Sequence, residues 1–324
     1  MIIKKCVLIA VFIAILLNTF SQPVPSTDEK FPYLGTFGKN SLKEWGDDDF
    51  VQTFFFVIPL SEKNPIYIRI YDPESSGTND ELHGSTFNTK TKFSVYGGKG
   101  AHSDPAAKDT DPKGNFKSGI QLATRTFGNE AEYDNKWITL GPFNPSEGEI
   151  DQKLGPNSYI FKIVIEGLEG DDGNLYRMFL STKSTENKEV EGGNAFAYEY
   201  SFRLSDTKSS VGHVYPFIDS KTTAVVINVF DYDDDGVIRA ITVAKKGVGE
   251  KSSGNNEWKK NKQEIVPEEL NTSMDIQFIK LKDSNNNNIV VYIQNQYGEN
   301  LPFYASPIGG VPKYKYKIKV KTGN

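Results

Sequence analysis

The sequence predicts an all-β chain: two tandem antiparallel β-sandwich modules, Ig-like or C2-like, behind an N-terminal signal peptide. Three observations carry this expectation. Two-residue alternation of apolar and polar side chains recurs along the chain while helical periodicity is scarce, and the alternating runs are separated by Gly, Asn, Asp and Pro clusters. The twelve residues IYIRIYDPESSG at Ile66 to Gly77 are matched in character, without a gap, by VVINVFDYDDDG at Val225 to Gly236, 159 positions later. The first residues carry Lys4 and Lys5, then an apolar stretch from Val7 to Leu17, then the small polar residues Thr19 and Ser21.

That N-terminal pattern describes a secretory signal, residues 1–21, cleaved after Ser21. Its apolar centre falls short of the roughly 20 residues that span a bilayer, and no later segment approaches that length, so the mature chain is expected to have no transmembrane segment. Cys6, the single cysteine, lies inside this segment, which leaves no thiol for disulfides, nucleophilic catalysis or a cysteine-ligated zinc. The expected setting is secreted, periplasmic or cell-surface. With 37% hydrophobic and 12% aromatic residues, the chain can build a core. A formal net charge of −5 argues against general nucleic-acid binding.

Residues 22–48, opening with Pro23 and Pro25, read as an exposed lead-in. Module one is expected over 49–205. Within it, Tyr159 to Ile165 and Leu175 to Leu180 flank Gly170-Asp171-Asp172-Gly173-Asn174 and read as a hairpin. The polar stretch 206–210 is the expected linker and 211–324 the second module, where Met274 to Leu281 and Ile289 to Ile293 flank Asn285 to Asn288 as a second hairpin. Trp137 and Trp258 precede the two hairpins and extend the repeat. At the C-terminus, Lys313 to Lys321 alternates cation and apolar residue, the pattern of an exposed strand guarded by lysines.

The strongest chemical signal is Asp231-Tyr232-Asp233-Asp234-Asp235-Gly236. Carboxylates at the first, third and fifth positions converge on one hard cation, and glycine at the sixth permits a sharp turn. The expected metal ligands are therefore Asp231, Asp233 and Asp235, with Asp72 and Glu74 as a weaker pair in the first copy and Asp80 as a further contributor; the expected ion is Ca2+. Thr242 stands at the twelfth position in place of a bidentate glutamate, so the loop is not an EF-hand. Over these six residues it resembles the Asp-rich calcium loops of secreted β-sandwich and repeat proteins.

Catalytic patterns are sparse. His83, His102 and His213 stand in no metal-ligand spacing, and His102-Ser103-Asp104 has the residue types of a hydrolase triad without a nucleophile elbow. Gly97-Gly98-Lys99-Gly100 lacks the order of a phosphate loop, and Glu268-Glu269 reads as surface charge. The expectation is an exported noncatalytic binding or structural protein of the cell envelope or exterior, whose partner is a protein or glycan at the cell surface. The alternatives are an accessory carbohydrate-binding protein, using exposed rings such as Trp45, Trp137 or Trp258, and a secreted hydrolase with carboxylate catalysis.

Overall fold

Sixteen strands form the frame. In the first half these are β1 (Tyr33–Phe37), β2 (Val51–Pro59), β3 (Ile66–Tyr71), β4 (Lys90–Gly97), β5 (Ile120–Phe127), β6 (Trp137–Phe143), β7 (Ser158–Glu169) and β8 (Gly173–Ser181). In the second half they are β9 (Glu199–Arg203), β10 (Val211–Val214), β11 (Ala224–Phe230), β12 (Gly236–Ile241), β13 (Glu250–Lys251), β14 (Trp258–Glu264), β15 (Asp275–Lys280) and β16 (Asn288–Asn295). The computed structural model describes residues 23–110, 116–151, 158–283 and 288–315. Helical structure among the described residues is limited to short 3-10 turns such as Lys43–Trp45 and Pro145–Glu147. No helix there is long and apolar enough to cross a membrane. The expected signal lies outside the described residues, as do the last residues of the lysine-alternating tail; its described part, Lys313 to Lys315, is not in a strand.

All sheets are antiparallel, and none closes into a barrel. The largest runs β14-β11-β16-β9-β1-β8-β3-β6, with the short strand Pro23–Val24 against β8. A second sheet holds β2-β7-β4-β5, extended beyond β2 by Asn194–Ala197 and Phe303–Tyr304; a third runs β10-β15-β12-β13. The first eight strands thus divide in the order 1-8-3-6 and 2-7-4-5, and the next eight repeat that order. The immunoglobulin arrangement differs, with strands A, B, E and D in one sheet and C, F and G in the other. The large sheet passes from one half to the other at the β1–β9 pair, where Leu34 faces Phe202 and Tyr33 faces Arg203.

The repeat seen in the sequence has the same inward phase in both halves. Ile66, Ile68 and Ile70 of β3 are fully buried, and Val225, Ile227 and Val229 of β11, the matching positions, are buried in the same hydrophobic cluster. Each such side chain contributes roughly 1.5–3 kcal/mol on burial. Alternation places them inward, since successive strand residues point to opposite faces.

Three expectations change. Residues 22–48 are not an exposed lead-in: they supply Pro23–Val24 and β1, with Val24 and Leu34 fully buried. Strand β1 holds the seam of the large sheet, a role that neighbouring Pro and polar residues masked. β9, the partner of β1, precedes 206–210, so the second set of eight strands begins within the span expected for module one. Neither expected hairpin is a paired one either. β7 pairs with β2 and β4 while β8 pairs with β1 and β3, and β15 and β16 likewise lie in different sheets. The Gly-rich connection at Gly170 is a corner between layers, and residues 284–287 of the Asn-rich stretch lie outside the described residues. At Gly170, φ is +85° and an added Cβ would sit 2.3 Å from the Thr89 Cα, so this corner requires glycine.

Candidate metal centre

The chain leaves β3 at Tyr71 and turns at Asp72, whose φ of 58° is left-handed. Asp and Asn adopt this conformation more readily than other side chains bearing a Cβ. The Asp72 amide donates to the Lys136 carbonyl (3.0 Å), and its carboxylate accepts from the Asn135 amide (2.7 Å) and from Asn79 Nδ2 (2.7 Å). Two residues on, the Glu74 carboxylate is fully buried, and neither of its oxygens has a hydrogen-bond partner of ordinary geometry. Asp134 arrives from the β5–β6 connection. Ligand oxygens of Asp72, Glu74 and Asp134 all lie within 4.8 Å of one another.

Gly77 and the side chains of Asp80 and Asn174 hold this arrangement. Gly77, with φ +78°, leaves room for Asp134, whose Oδ1 would be 2.4 Å from an added Cβ. Asp80 accepts from the amides of Ser76 (2.8 Å) and Leu175 (2.6 Å), so both its oxygens tether the loop to β8. Its role is to brace the loop. Asn174 Nδ2 donates to the Pro73 carbonyl at 2.8 Å and adds a second tether.

The carboxylates of this cluster are crowded and shielded from water. Burial, opposed by the nearby Ser76 hydroxyl and reinforced by the charges of Asp72, Asp134 and Glu130, pushes the Glu74 carboxyl up to about 7. Burial also raises Asp72, against the lowering effect of its bonds from Asn79 and Asn135. Two carboxylates about 4.8 Å apart repel by roughly 0.9 kcal/mol in bulk water and by more where water is excluded. Oxygens bound to calcium at about 2.4 Å are at most about 4.8 Å apart across the ion, so three groups this close can share one. Sequence reasoning missed Asp134, because the pairing of Trp137 with Tyr71 that brings it beside Asp72 is a register between strands far apart in sequence.

The second loop repeats the local frame with different chemistry. Asp231, φ 56°, follows β11 as Asp72 follows β3; its amide donates to the Glu257 carbonyl (3.2 Å), and Oδ1 accepts from the Asn256 amide (2.6 Å). Trp258 pairs with Phe230 as Trp137 pairs with Tyr71, so Asn256 occupies the place of Asn135 and Asn255 that of Asp134. Asp231 Oδ2 is buried without a partner, and burial pushes this carboxyl up to about 7. Burial and then the Asp235 charge raise Asp233 to about 6. Asp235, however, is 3.0 Å from Lys282 Nζ, and Asp234 is 2.9 Å from Lys251 Nζ. Glu44 adds negative charge near Asp231 and Asp233. Thr242 donates its hydroxyl to Glu269 and serves no ligand role.

Among the described residues, one other acidic triplet, Asp47, Asp48 and Asp49, has ligand atoms this close. There Asp47 accepts from the amides of Phe37 and Phe50 (both 2.8 Å) and Asp49 from Val51 (2.9 Å), which fixes the bend into β2.

The remaining candidates have structural partners. His102 Nδ1 is 2.7 Å from Asp151 and Nε2 is 3.0 Å from the Tyr198 hydroxyl, while the Ser103 hydroxyl bonds Glu149; the three residue types at 102–104 do not form a nucleophile–base pair. Burial lowers His102 to about 4, so its link to Asp151 is a hydrogen bond at neutral pH and not an ion pair. His213 Nδ1 is 2.8 Å from Asp275, and His83 stacks on Trp45 with ring centroids 3.5 Å apart. Glu269, expected at the surface, is fully buried and bonds Lys245 (2.9 Å) and the Val266 amide (2.7 Å). Trp137 packs under Arg69 and Trp258 against Phe230 and Tyr292. No family model, curated protein or solved structure matches the chain.

Proposed function

We propose that this is an exported, noncatalytic binding or structural protein of the cell envelope or exterior, built as two sandwich modules in tandem, in which calcium fixes the loops at one module end. The strand order 1-8-3-6 over 2-7-4-5, met twice, is that of an eight-stranded double-sheet jelly roll, an architecture shared by lectin and capsid domains. Such an order favours jelly-roll modules over Ig-like or C2-like ones. Fold alone assigns no function.

One observation carries the metal reading: the Glu74 carboxylate is fully buried, neither of its oxygens has a hydrogen-bond partner of ordinary geometry, and it lies beside Asp72 and Asp134. An unpaired buried carboxylate costs several kcal/mol unless it is protonated or meets a cation. Asp72, Glu74 and Asp134 would hold the ion, and Asp231 with Asp233 would form a weaker second site. An affinity of about 10⁻⁴ to 10⁻³ M is usual for calcium in extracellular modules, in keeping with export. The noncatalytic reading is supported by the structural engagement of all three histidines. Calorimetric titration of the full chain with calcium tests the site: binding that Glu74→Gln weakens at least tenfold supports it, and unchanged binding in that variant removes it.

A further inference from the structure

The segment ahead of β1 crosses between the two sets of eight strands. Pro23 and Val24 pair with β8, and Val24 is fully buried. The chain then passes to the second set: the Tyr215 hydroxyl donates to the Asp28 carbonyl (2.9 Å), and the His213 amide donates to the Glu29 carbonyl (2.8 Å). Phe31 stacks on Phe202 of β9, and β1 follows, paired with β8 on one side and β9 on the other. Residues 23–32 thus form a strap fastened to both sets. From its bonding we infer that the strap is a proton-controlled latch, closed while the Glu29 carboxyl keeps its proton and loosened as the carboxylate forms.

Glu29 lies in the middle of the strap and is fully buried. Its Oε2 accepts from the Ser26 amide (2.6 Å), which closes the local turn. Oε1 has no hydrogen bond of ordinary geometry, and neither has the Tyr200 hydroxyl beside it. A proton on Oε1 completes this pair, since a carboxylic acid donates and a phenol oxygen accepts. Once that proton leaves, an anion is enclosed away from water with no cation paired to it, which is the costlier state. Lifting the strap returns the carboxylate to water.

The groups around Glu29 do not offset that charge. On the strap itself, Asp28 adds a like charge and Lys30 is exposed. β9 presents Tyr200; β10 and the residue after it present His213 and Tyr215; β15 presents Asp275, which is 2.8 Å from His213 Nδ1. The charges of Asp275, Asp28 and Glu29 all act on Tyr215, so three carboxyls gather around it. Burial pushes the Glu29 carboxyl up to about 8, against the bonds from Ser26 and Tyr200. With an ordinary value of 4.5 once the strap lifts, opening is favoured about tenfold per pH unit between those two values and no further above about 8. Acid closes the latch, and base loosens it.

The latch stands apart from the calcium reading, and its test needs no metal. Hydrogen–deuterium exchange of the full chain is measured at intervals from pH 5 to pH 9 and expressed as protection factors, which removes the intrinsic dependence of exchange on pH. Protection of the amides at 26–31 is expected to fall by about tenfold or more from pH 5 to pH 8 and to level above that, while the amides of β7 and β11 hold. In Glu29→Gln the strap should stay protected to within about twofold over the whole range, because its side chain cannot ionise. A level profile in the wild type, a fall of equal size in Glu29→Gln, or loss of strap and core protection together overturns the assignment. The first and last of these outcomes are read from the wild type alone, so the test stands even if Glu29→Gln does not fold.

Discussion

Replacing Glu74 by glutamine tests the metal centre through stability as well as affinity. The amide would keep the volume of the buried side chain while removing its charge, and neither wild-type oxygen has a hydrogen bond of ordinary geometry to lose. In chelator the variant should therefore be at least as stable as the wild type above pH 7, where the buried carboxyl would otherwise be ionised. In calcium the order reverses. At a free concentration of about 100 times Kd, one site stabilises the native state by about 2.7 kcal/mol. With an unfolding entropy of about 2.1 cal/mol/K per residue, that shifts the midpoint by about 9 °C if a unit of about 150 residues melts alone, and by about 4 °C if about 300 residues melt together. Differential scanning calorimetry with calcium and with chelator measures both. The expected result is a shift of that size in the wild type, most of it lost in Glu74→Gln and little changed in Asp231→Asn. Equal shifts in wild type and Glu74→Gln would refute the reasoning, as would a wild type indifferent to calcium.

Gly77→Ala should lower both calcium affinity and stability, by about 1 kcal/mol or more in the latter, because its Cβ would meet Asp134 at 2.4 Å and its φ is +78°; calcium titration and chemical denaturation would register it. Glu29 is fully buried, and burial pushes its carboxyl up to about 8, opposed by bonds from Ser26 and Tyr200 and reinforced by Asp28. A raised folded-state pKa means that its stabilising contribution is complete below about 4.5 and is lost as pH rises toward about 8, on the order of a few kcal/mol. Denaturation midpoints should fall over that window in the wild type and less in Glu29→Gln; parallel profiles would reject the assignment. Phe202→Ala removes a fully buried ring stacked 4.1 Å from Phe31 at the seam opposite Leu34, at a cost of about 3–5 kcal/mol. Both halves should melt earlier together, whereas a shift confined to one of two calorimetric transitions would show that the seam does not couple them.

The all-β class was legible because alternation is a local property, and the inward phase at Ile66 to Ile70 and Val225 to Val229 could be read directly from it. Sheet membership was not. A Gly- or Asn-rich turn specifies that the chain reverses, but which sheets β7 and β8, or β15 and β16, join is decided by their packing. β1 was passed over because YLGTF is short and follows a Pro-rich stretch; its identity rests on the pairing with β8 and β9. The same distinction governs the site. Asp72 and Glu74 lie in one motif, but Asp134 is brought in by the β3–β6 register, a relation between strands far apart in sequence.

The two acidic loops differ in how their carboxylates are engaged. Asp231-Tyr232-Asp233-Asp234-Asp235 has four carboxylates in five residues, yet Lys251 and Lys282 each take one of them, and Asn255 stands where the first half has Asp134. Each lysine supplies a positive charge that a bound cation would have to displace or repel. In the first loop the count in sequence is lower, but ligand oxygens of Asp72, Glu74 and Asp134 lie within 4.8 Å of one another, and the positive charge acting on Asp72 is that of Arg177. If duplication produced both loops, the copies have parted in charge balance while keeping the backbone: left-handed Asp72 and Asp231, and the amides of Asn135 and Asn256 bonded to them in the same way. The backbone bonds account for these two aspartates as turn-formers in either half. Glu74 differs from both in closing no turn: neither of its oxygens has a hydrogen-bond partner of ordinary geometry, and the proposed calcium would supply one.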